Sequence, residues 1–327
     1  MSDFAVYGES QVRQWLDFPG CIEAVRRAMA ALSQDQRAQP LRQITAVREG
    51  RMFALMPGLS TGEPGFGAKL ISVFRDPAKG GRSAHRGIVT LFEEETGAVV
   101  CVADAHEITR IRTACATAVA TDALARVDAK TLAVFGCGTQ AESHLLALPL
   151  VRKFEHIVVW GRAAEIAKVF ADRMAAETGL NISAVADAEV AAQCDVICTV
   201  TGSPEPVLMR DWIRPGTHIN AVGSSHLGPV EIDPLLVATS AYFVEYRPSA
   251  LAAAAEFIRA KELGLVDDSH IRAEIGEVLN GTSAGRSDPS QITLYKSLGH
   301  IVQDLAAARY IHDRATNGVG TGAGALA

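Results

Sequence analysis

The chain has 327 residues and a formal net charge of −6, and 48% of its residues are hydrophobic and 21% charged. At about 150 residues per domain, this length predicts two domains, and the weak acidity argues against a non-specific nucleic-acid binder, which carries a basic face. The sequence has no apolar run of about 18 residues, so no membrane span is predicted. The first residues lack a signal-peptide pattern and the six cysteines form no CxxC pair, so we expect free thiols and a cytoplasmic protein.

The first third of the chain predicts helices followed by an antiparallel sheet. Apolar residues at helical spacing occur in the first 40 residues, where Ser10 is expected to cap the first helix. Residues 44–103 contain short apolar runs separated by turns rich in glycine and proline, which predicts a mostly antiparallel sheet. An alanine-rich pattern then predicts a long helix over 107–126.

From residue 131 onward, continuous apolar strands alternate with helices. Strands that are buried on both faces carry such runs, so the pattern predicts a parallel, doubly wound sheet and an α/β fold. The expected strands are 131–136, 157–160, 182–185, 195–200, 218–223 and 242–244. A final helix is predicted over 291–316, and the tail 317–327 is predicted to be disordered.

A glycine-rich turn follows the first strand of this parallel sheet. It has the sequence Gly136-Cys137-Gly138-Thr139-Gln140-Ala141 and opens a helix, as the GxGxxG/A dinucleotide fingerprint requires. Gly136 permits the tight turn, Gly138 lets the backbone approach a pyrophosphate, and Ala141 lets the helix pack closely on the strand. The helix N-terminus offers free N–H groups to phosphates. The turn therefore predicts a Rossmann-type domain that binds a dinucleotide.

The end of the second strand indicates which dinucleotide is preferred. A carboxylate at this place would bind the ribose 2′-hydroxyl of NAD, but the chain has Trp160-Gly161-Arg162 there. Arg162 could pair with a 2′-phosphate, so the sequence slightly favours NADPH over NADH. The alternative is an arginine that simply faces solvent.

Several segments, in this order and spacing, resemble the ornithine cyclodeaminase/mu-crystallin family over nearly the whole chain. They are Gly67-Ala68-Lys69, His85-Arg86-Gly87, Thr109-Arg110-Ile111-Arg112-Thr113-Ala114, the glycine turn, Gly223-Ser224-Ser225 with Glu231-Ile232-Asp233, and Lys296-Ser297-Leu298-Gly299. The resemblance implies a Rossmann domain, assigned to 118–295. It also implies a smaller α+β substrate domain, assigned to 1–117 and joined by a C-terminal helix at 296–316. It further implies a homodimer formed through the substrate-domain sheet, and NAD(P)-linked chemistry at the α-carbon of an amino or imino acid.

Three basic residues are the candidates for binding the substrate. The guanidinium of Arg112 would hold a carboxylate in a fixed orientation, and Arg42 could provide a second contact. Lys69 lies among apolar neighbours on a strand, where loss of solvent would lower its pKa and let it exchange a proton near neutrality. The alternatives are a structural ion pair for Arg112 and a surface-reaching side chain for Lys69.

The cofactor contacts are expected at the carboxyl ends of the Rossmann strands, where the sheet changes direction. No cluster of metal ligands is found in the sequence. Together with the resemblance, this placement predicts the following cofactor contacts: Thr113, Gly136, Gly138, Thr139, Gln140, Ala141, Arg162, Thr201, Gly202, Val222, Gly223 and Ser297.

Ser225 marks a departure from the family's cyclodeaminases. In those enzymes, the segment after the fifth Rossmann strand resembles the pattern Gly-x-Asp-x-Pro-Gly-x-x-Glu-x-Asp. In this chain, Ser225 stands at the position of the first Asp of that pattern. Serine has no group that ionises near neutral pH, so it cannot alone act as the base that cyclodeamination needs. Ketimine reductases of the mu-crystallin type look like this chain in carrying serine there, and Ser225 is a candidate catalytic residue. His226 is adjacent and could substitute as a base, or be an exposed loop histidine.

The sequence thus predicts an NAD(P)H-dependent reductase of 2-imino acids. The substrate is either a cyclic ketimine or an imino-dicarboxylate such as iminosuccinate, whose second carboxylate could be bound by Arg75, His85 and Arg86 unless these form a solvated loop. The other enzyme candidates are an ornithine cyclodeaminase and an alanine-type amino-acid dehydrogenase. The candidate outside enzymes is a ligand-binding protein like mu-crystallin.

Overall fold

The computed structural model describes residues 4–76 and 82–321. It divides into two compact units, one with the residues up to Arg112 and those from His300 onward, and one with Thr113–Gly299. The strands are β1 (Ala5–Tyr7), β2 (Gln43–Arg48), β3 (Arg51–Leu59), β4 (Phe66–Asp76), β5 (Arg82–Phe92), β6 (Val99–Asp104), β7 (Thr131–Phe135), β8 (His156–Trp160), β9 (Ile182–Ala184), β10 (Val196–Thr199), β11 (His218–Ala221), β12 (Ala241–Val244), β13 (Ile271–Glu274) and β14 (Thr293–Lys296).

The helices connect and cover these strands. They are α1 (Glu9–Trp15), α2 (Phe18–Leu32), α3 (Ala105–Leu124), α4 (Thr139–Ala147), α5 (Ala164–Thr178), α6 (Ala188–Ala191), α7 (Pro234–Thr239), α8 (Arg247–Ala253), α9 (Ala255–Glu262), α10 (Ile275–Leu279) and α11 (Ile301–Thr321). Among the described residues, no helix is both long enough and apolar enough to cross a membrane.

The first unit is built on a sheet with the order β1-β6-β5-β4-β3-β2. The pairs from β2 to β6 are antiparallel, as predicted for residues 44–103, and the short strand β1 adds a parallel pair with β6. Helix α11 packs on one face of this sheet. Glycines allow the close approach, because a Cβ atom at Gly58 would come within 2.3 Å of Ile301 and one at Gly67 within 2.8 Å of Leu305.

The second unit is the predicted parallel sheet, with the order β13-β12-β14-β11-β10-β7-β8-β9. Every neighbouring pair in it is parallel. The chain runs outward from β7 through β8 to β9 and then returns to place β10 on the other side of β7. This reversal puts the switch point of the sheet between β7 and β10, and the crevice beyond the carboxyl ends of such strands is where open α/β sheets bind ligands. The predicted fold class, a Rossmann-type sheet with a smaller α+β unit, is confirmed.

Three local predictions were wrong. The helix predicted over 291–316 begins only at Ile301, because Thr293–Lys296 forms the fully buried strand β14. A short apolar run beside a helix cannot be distinguished from that helix by periodicity alone. The tail predicted to be disordered from 317 continues as helix to Thr321, and residues 322–327 lie outside the described residues. Ser10 lies inside α1, whose N-cap is Gly8.

Candidate functional site

A buried cluster of polar side chains lies in the first unit, between its sheet and α11. Lys69 on β4 and Arg112 on α3 are 2% and 3% exposed, and Asp304 in the first turn of α11 is fully buried. One oxygen of the carboxylate, Oδ1 of Asp304, accepts hydrogen bonds from Lys69 Nζ at 3.0 Å and from Arg112 Nε at 2.9 Å. Gln303 adds a bond from Arg112 Nη1 to its Oε1 at 2.6 Å. The structure therefore brings the two main predicted substrate residues together around one carboxylate.

Strand and helix periodicity explain why these residues meet. Lys69 and Ile71 on β4 point to the face that α11 covers, because alternate residues of a strand share a face. On α11, Asp304 lies three residues after Ile301 and four before Ala308, so it occupies the buried stripe of the helix. A carboxylate in the first turn of a helix is also favoured by the helix dipole.

The cluster carries more positive than negative groups. Burial first, and then the charges of Arg112 and Arg42, lower the pKa of Lys69 to about 7, although Asp304 opposes the change. Burial alone would raise the pKa of Asp304, but the charges of Arg112 and Lys69 outweigh it and hold that pKa below its usual value. The carboxylate is thus bonded to Arg112 and to a lysine that is partly protonated at neutrality, and the charge of Arg42 also acts on that lysine. These positive groups favour binding of an anion.

Arg112 combines a structural ion pair with a free donor group. Its Nε and Nη1 are taken by Asp304 and Gln303, whereas Nη2 has no hydrogen-bond partner among residues 4–76 and 82–321. Arg42 is half-buried, and its charge acts on Lys69. A substrate carboxylate can therefore be held by a guanidinium whose orientation is already fixed.

Arg86 is not part of this cluster. It is exposed and pairs directly with Ser72, on the face of the sheet opposite to Lys69 and Ile71. The side chains of Arg75 and His85 lie outside the described residues. The structure therefore does not bring Arg86 together with Lys69 and Arg112 within one chain.

The glycine turn in the second unit has the features that a dinucleotide requires. Gly136 has a φ of +132°, and a Cβ atom there would lie 2.9 Å from the carbonyl oxygen of Val200, so only glycine fits. A Cβ atom at Gly138 would meet nothing within 4 Å, which leaves open space beside the N-cap of α4. No side chain caps this helix, Thr139 is exposed in its first turn, and Ala141 is fully buried against the sheet. The first N–H groups of α4 can thus bind phosphate oxygens.

Glu231 joins the loops that follow β10 and β11. Its buried carboxylate accepts bonds from Thr201 N at 2.6 Å, Thr201 Oγ1 at 2.7 Å, Gly223 N at 2.6 Å and Ser224 N at 3.2 Å. Burial raises the pKa of Glu231, although the bonds from Thr201 and the charge of Lys296 oppose this. A Cβ atom at Gly223 would lie 2.1 Å from the carbonyl oxygen of Thr201. The predicted contacts Thr201, Gly202, Val222 and Gly223 therefore lie along one fixed edge, at the carboxyl ends of neighbouring strands.

A second buried ion pair holds the loop that contains Ser225. Lys296 Nζ lies 2.7 Å from Glu256 Oε1 and donates to Ser224 Oγ at 2.9 Å. Ser225 itself is half-buried in this loop. The Ser224 hydroxyl also donates to Glu256 at 3.1 Å, so the backbone before Ser225 is fixed by side chains from two other elements.

The remaining predicted cofactor residues have different surroundings. Arg162 is exposed and has no ion-pair partner in the part of the chain that the structure describes. Ser297 is buried and its hydroxyl donates to Glu245 at 3.0 Å, while the carbonyl of buried Thr113 accepts a bond from Thr117. Gln140 is half-buried in the first turn of α4. Over the described ranges, no group of three or more His, Cys, Asp or Glu residues could hold a metal ion.

Comparison with known proteins matches these features to a family. The sequence profile described as the ornithine cyclodeaminase/mu-crystallin family matches residues 4–319. The chain belongs to this family. It is 34% identical to the ketimine reductase mu-crystallin of Mus musculus over 283 residues, which cover 86% of each chain. It is 30% identical to a Delta(1)-pyrroline-2-carboxylate reductase of Bacillus cereus over 319 residues, 96% of this chain and 98% of the relative.

Among solved structures, the chain is similar to the Delta(1)-pyrroline-2-carboxylate reductase of Thermococcus litoralis, determined in complex with NADH and L-proline. The TM-score is 0.91 at 30% identity, and the alignment covers 97% of this chain and 98% of that one. The resemblance inferred from sequence motifs is thereby confirmed for both the family and the fold.

Sequence reasoning missed Asp304 and Gln303, and it gave no role to Glu231. A signal for Asp304 was present, because an acidic residue interrupts the apolar stripe of the last helix between Ile301 and Leu305. A charged residue on a buried face is rare unless it is paired. Its partners, however, lie 235 and 192 positions away in the chain, and no local pattern identifies them.

Proposed function

We propose that this protein reduces 2-imino acids to amino acids with a reduced nicotinamide dinucleotide as the hydride donor. The observation that carries the proposal is the shared carboxylate of Asp304, which holds a lysine of pKa about 7 beside a fixed arginine. A 2-imino acid presents a carboxylate next to a nitrogen that must gain a proton, and this pair of side chains suits those two groups. The relatives named ketimine reductase and pyrroline-2-carboxylate reductase support the same reaction.

The chain's own residues have distinct roles in this proposal. Nη2 of Arg112, with Arg42, binds the substrate carboxylate and fixes the orientation of the α-carbon. When bound, the reduced nicotinamide supplies a hydride to the imine carbon. Lys69 donates a proton to the imine nitrogen, so the C=N bond becomes an amine C–N bond and Lys69 is left neutral. A lysine with a pKa near 7 is suited to this exchange, because general acids work best when their pKa lies near the operating pH.

The second unit provides the groups for the dinucleotide. The first N–H groups of α4 beside Gly138 would bind the pyrophosphate, and the edge formed by Thr201, Gly202, Val222 and Gly223 would hold the nicotinamide. Arg162 pairs with a 2′-phosphate, so NADPH is preferred over NADH. The exposure of Arg162 supports this assignment, since the guanidinium does not have to leave another partner.

Ser225 directs the chemistry toward reduction. A cyclodeaminase needs a base to help the side-chain amine of ornithine attack its own imine, and serine does not supply one near neutral pH. The loop is held by Glu231, Lys296 and Glu256, so the position of Ser225 is fixed.

A cyclic 2-imino acid is the favoured substrate over an imino-dicarboxylate. Since Arg112 and Arg42 are assigned to the first carboxylate, the second carboxylate of iminosuccinate would need a further cation, and the predicted candidate Arg86 lies on the opposite face of the sheet. The cluster itself offers sites for one carboxylate and one nitrogen.

The outer face of the same sheet supports a homodimer. Val6, Phe53, Phe74 and Ile88 on this face are 60%, 40%, 39% and 41% exposed, and Phe66 stacks on Phe92 beside them with ring centroids 5.2 Å apart. An extended apolar patch of this kind marks an interaction surface in a soluble protein. A second copy of the chain would cover it.

The test is consumption of NADPH or NADH with a set of imines. Pyrroline-2-carboxylate, piperideine-2-carboxylate and iminosuccinate are supplied separately, and ornithine is supplied with oxidised cofactor. We expect rapid reduction of the cyclic imines and negligible formation of proline from ornithine. Efficient proline formation with no imine reduced would show that another group, such as His226, provides the base and that the proposal is wrong.

A further inference from the structure

Asp304 occupies an unusual position in the first unit. Its carboxylate is fully buried on the apolar stripe of α11, and only its Oδ1 is bonded to other side chains. Within the described residues, Oδ2 has no hydrogen-bond partner. A buried carboxylate is costly unless its charge is compensated, so its presence here indicates a specific purpose for the ion pairs.

We propose that Asp304 is a positioning residue for imine reduction, because one of its oxygen atoms fixes both the proton donor Lys69 and the carboxylate anchor Arg112. This inference rests on the proposed function. It assigns Asp304 no contact with the substrate, and its action passes through the two basic side chains.

The geometry limits how far apart the two basic groups can be. Lys69 Nζ and Arg112 Nε lie 3.0 and 2.9 Å from the same oxygen, so they must be close neighbours. In a 2-imino acid, the carboxylate group and the imine nitrogen are bonded to the same carbon. A single carboxylate oxygen therefore holds the lysine and the guanidinium close enough for one small substrate to contact both.

Asp304 also determines whether Lys69 carries its proton. The charged groups that act on Lys69 are Arg112 on α3, Arg42 before β2 and Asp304 on α11. Its neighbours on the adjacent strands are Met56 on β3 and Val89 on β5, and neither titrates. Asp304 is thus the group in this set that favours the protonated lysine, and without it two guanidinium groups and burial all favour the neutral form.

The experiment measures the pH dependence of kcat/KM for a cyclic imine in wild type and in Asp304→Asn. If Lys69 must be protonated, activity falls as the pH rises through its pKa. Loss of an opposite charge at this distance should move that fall down by about one pH unit or more. KM should also rise, since the neutral amide in Asp304→Asn holds the Arg112 guanidinium more weakly than a carboxylate does. The 13Cε signal of Lys69, assigned by its absence in Lys69→Met, is titrated in parallel as a readout that needs no activity.

Glu107→Gln is the matched control. Glu107 is likewise a fully buried carboxylate of the first unit, and its two partners are Arg13 at 3.0 Å and Arg110 at 2.8 Å. This variant removes a buried carboxylate that pairs with two more exposed arginines, and it leaves Lys69 and Arg112 unchanged. We expect its pH profile and its Lys69 titration to match those of wild type.

If Asp304→Asn does not fold, Asp304→Glu is used to test the proposal. It keeps the charge, so the Lys69 titration should stay within roughly half a pH unit of wild type while KM rises because the carboxylate is displaced. A Lys69 titration that is unchanged in Asp304→Asn, or that falls by a unit or more in Asp304→Glu, would overturn the proposal. A wild-type protein that reduces no imine would instead refute the proposed function, and the 13C titration separates the two failures.

Discussion

Replacement of Lys69 by methionine should change the pH dependence of stability in a direction that the structure fixes. The pKa of Lys69 is about 7 in the folded protein, against an ordinary value of 10.5. Between these two pH values the unfolded chain binds one proton more than the folded chain, so the free energy of unfolding rises with pH by about 1.4 kcal/mol per unit. Below pH 7 both states are protonated, and the lysine contributes no slope.

The full difference of pKa corresponds to an upper limit of about 5 kcal/mol, and this value already includes the stabilising charge and hydrogen bond of Asp304. Lys69→Met should therefore be at least as stable as wild type near pH 6. From pH 7 to pH 10, the free energy of unfolding of wild type should rise steadily relative to that of the variant. Turnover should fall more than substrate binding if the lysine acts chiefly in the transition state.

Urea unfolding of both proteins across this pH range provides the measurement. The matched control is Lys168→Met, because Lys168 is exposed and pairs with Asp172 on the same helix at 2.7 Å. That variant should run parallel to wild type over the whole range. A constant difference between Lys69→Met and wild type from pH 7 to pH 10 would refute the lowered pKa and, with it, the role of Lys69 as a proton donor.

Other substitutions test the remaining parts of the site. Arg112→Lys should lower kcat/KM on the order of a hundredfold, because a point charge does not orient the substrate as a guanidinium does, and steady-state kinetics near wild-type values would contradict the anchor. Gly138→Val should weaken NADPH binding by more than about tenfold in a fluorescence titration, with little change of Tm, since a Cβ atom there would meet nothing within 4 Å. Unchanged affinity would exclude this phosphate site. Arg162→Ser should reduce the catalytic efficiency with NADPH and spare that with NADH, and equal losses with both would argue against a 2′-phosphate contact. Ile88→Lys should place a charge on the apolar outer face and shift a dimer toward monomer in sedimentation, whereas a wild-type monomer at micromolar concentration would refute the dimer.

Much of the fold could be predicted because buried strands and helix faces show recognisable patterns of apolar residues in the sequence. Strands β7, β8, β10 and β12 are largely buried on both faces, which produces apolar runs along them. Strand β13 was missed because its exposed Arg272 and its Glu274 interrupt any apolar run. The residues of strand β14 were predicted as part of the final helix, since Leu294 and Leu298 continue the apolar spacing of α11. Local patterns therefore identify elements well, but they misplace a short strand that adjoins a helix.

The site could be predicted only as separate residues. Lys69 was predicted from its apolar neighbours on a strand and Arg112 from its place on a small-residue helix, and the family resemblance supported both. The glycine turn was predicted because phosphate binding dictates its spacing. The carboxylate that joins them comes from the far end of the chain, and the contact depends on α11 lying on the sheet at Gly58 and Gly67.

The arrangement also explains why a lysine, rather than another arginine, occupies position 69. A second arginine on the carboxylate of Asp304 would repel Arg112 strongly in this buried site, because an arginine cannot lose its charge under physiological conditions. Lysine can release its proton, and burial brings the pKa of Lys69 to about 7, so the cluster relieves its surplus charge by giving up one proton. Burial and the neighbouring positive charges destabilise the protonated lysine. The same effect makes its proton easier to transfer to a substrate nitrogen. A site built only to bind a carboxylate would have no need for a group that titrates, and this requirement favours an enzyme over a simple binding protein.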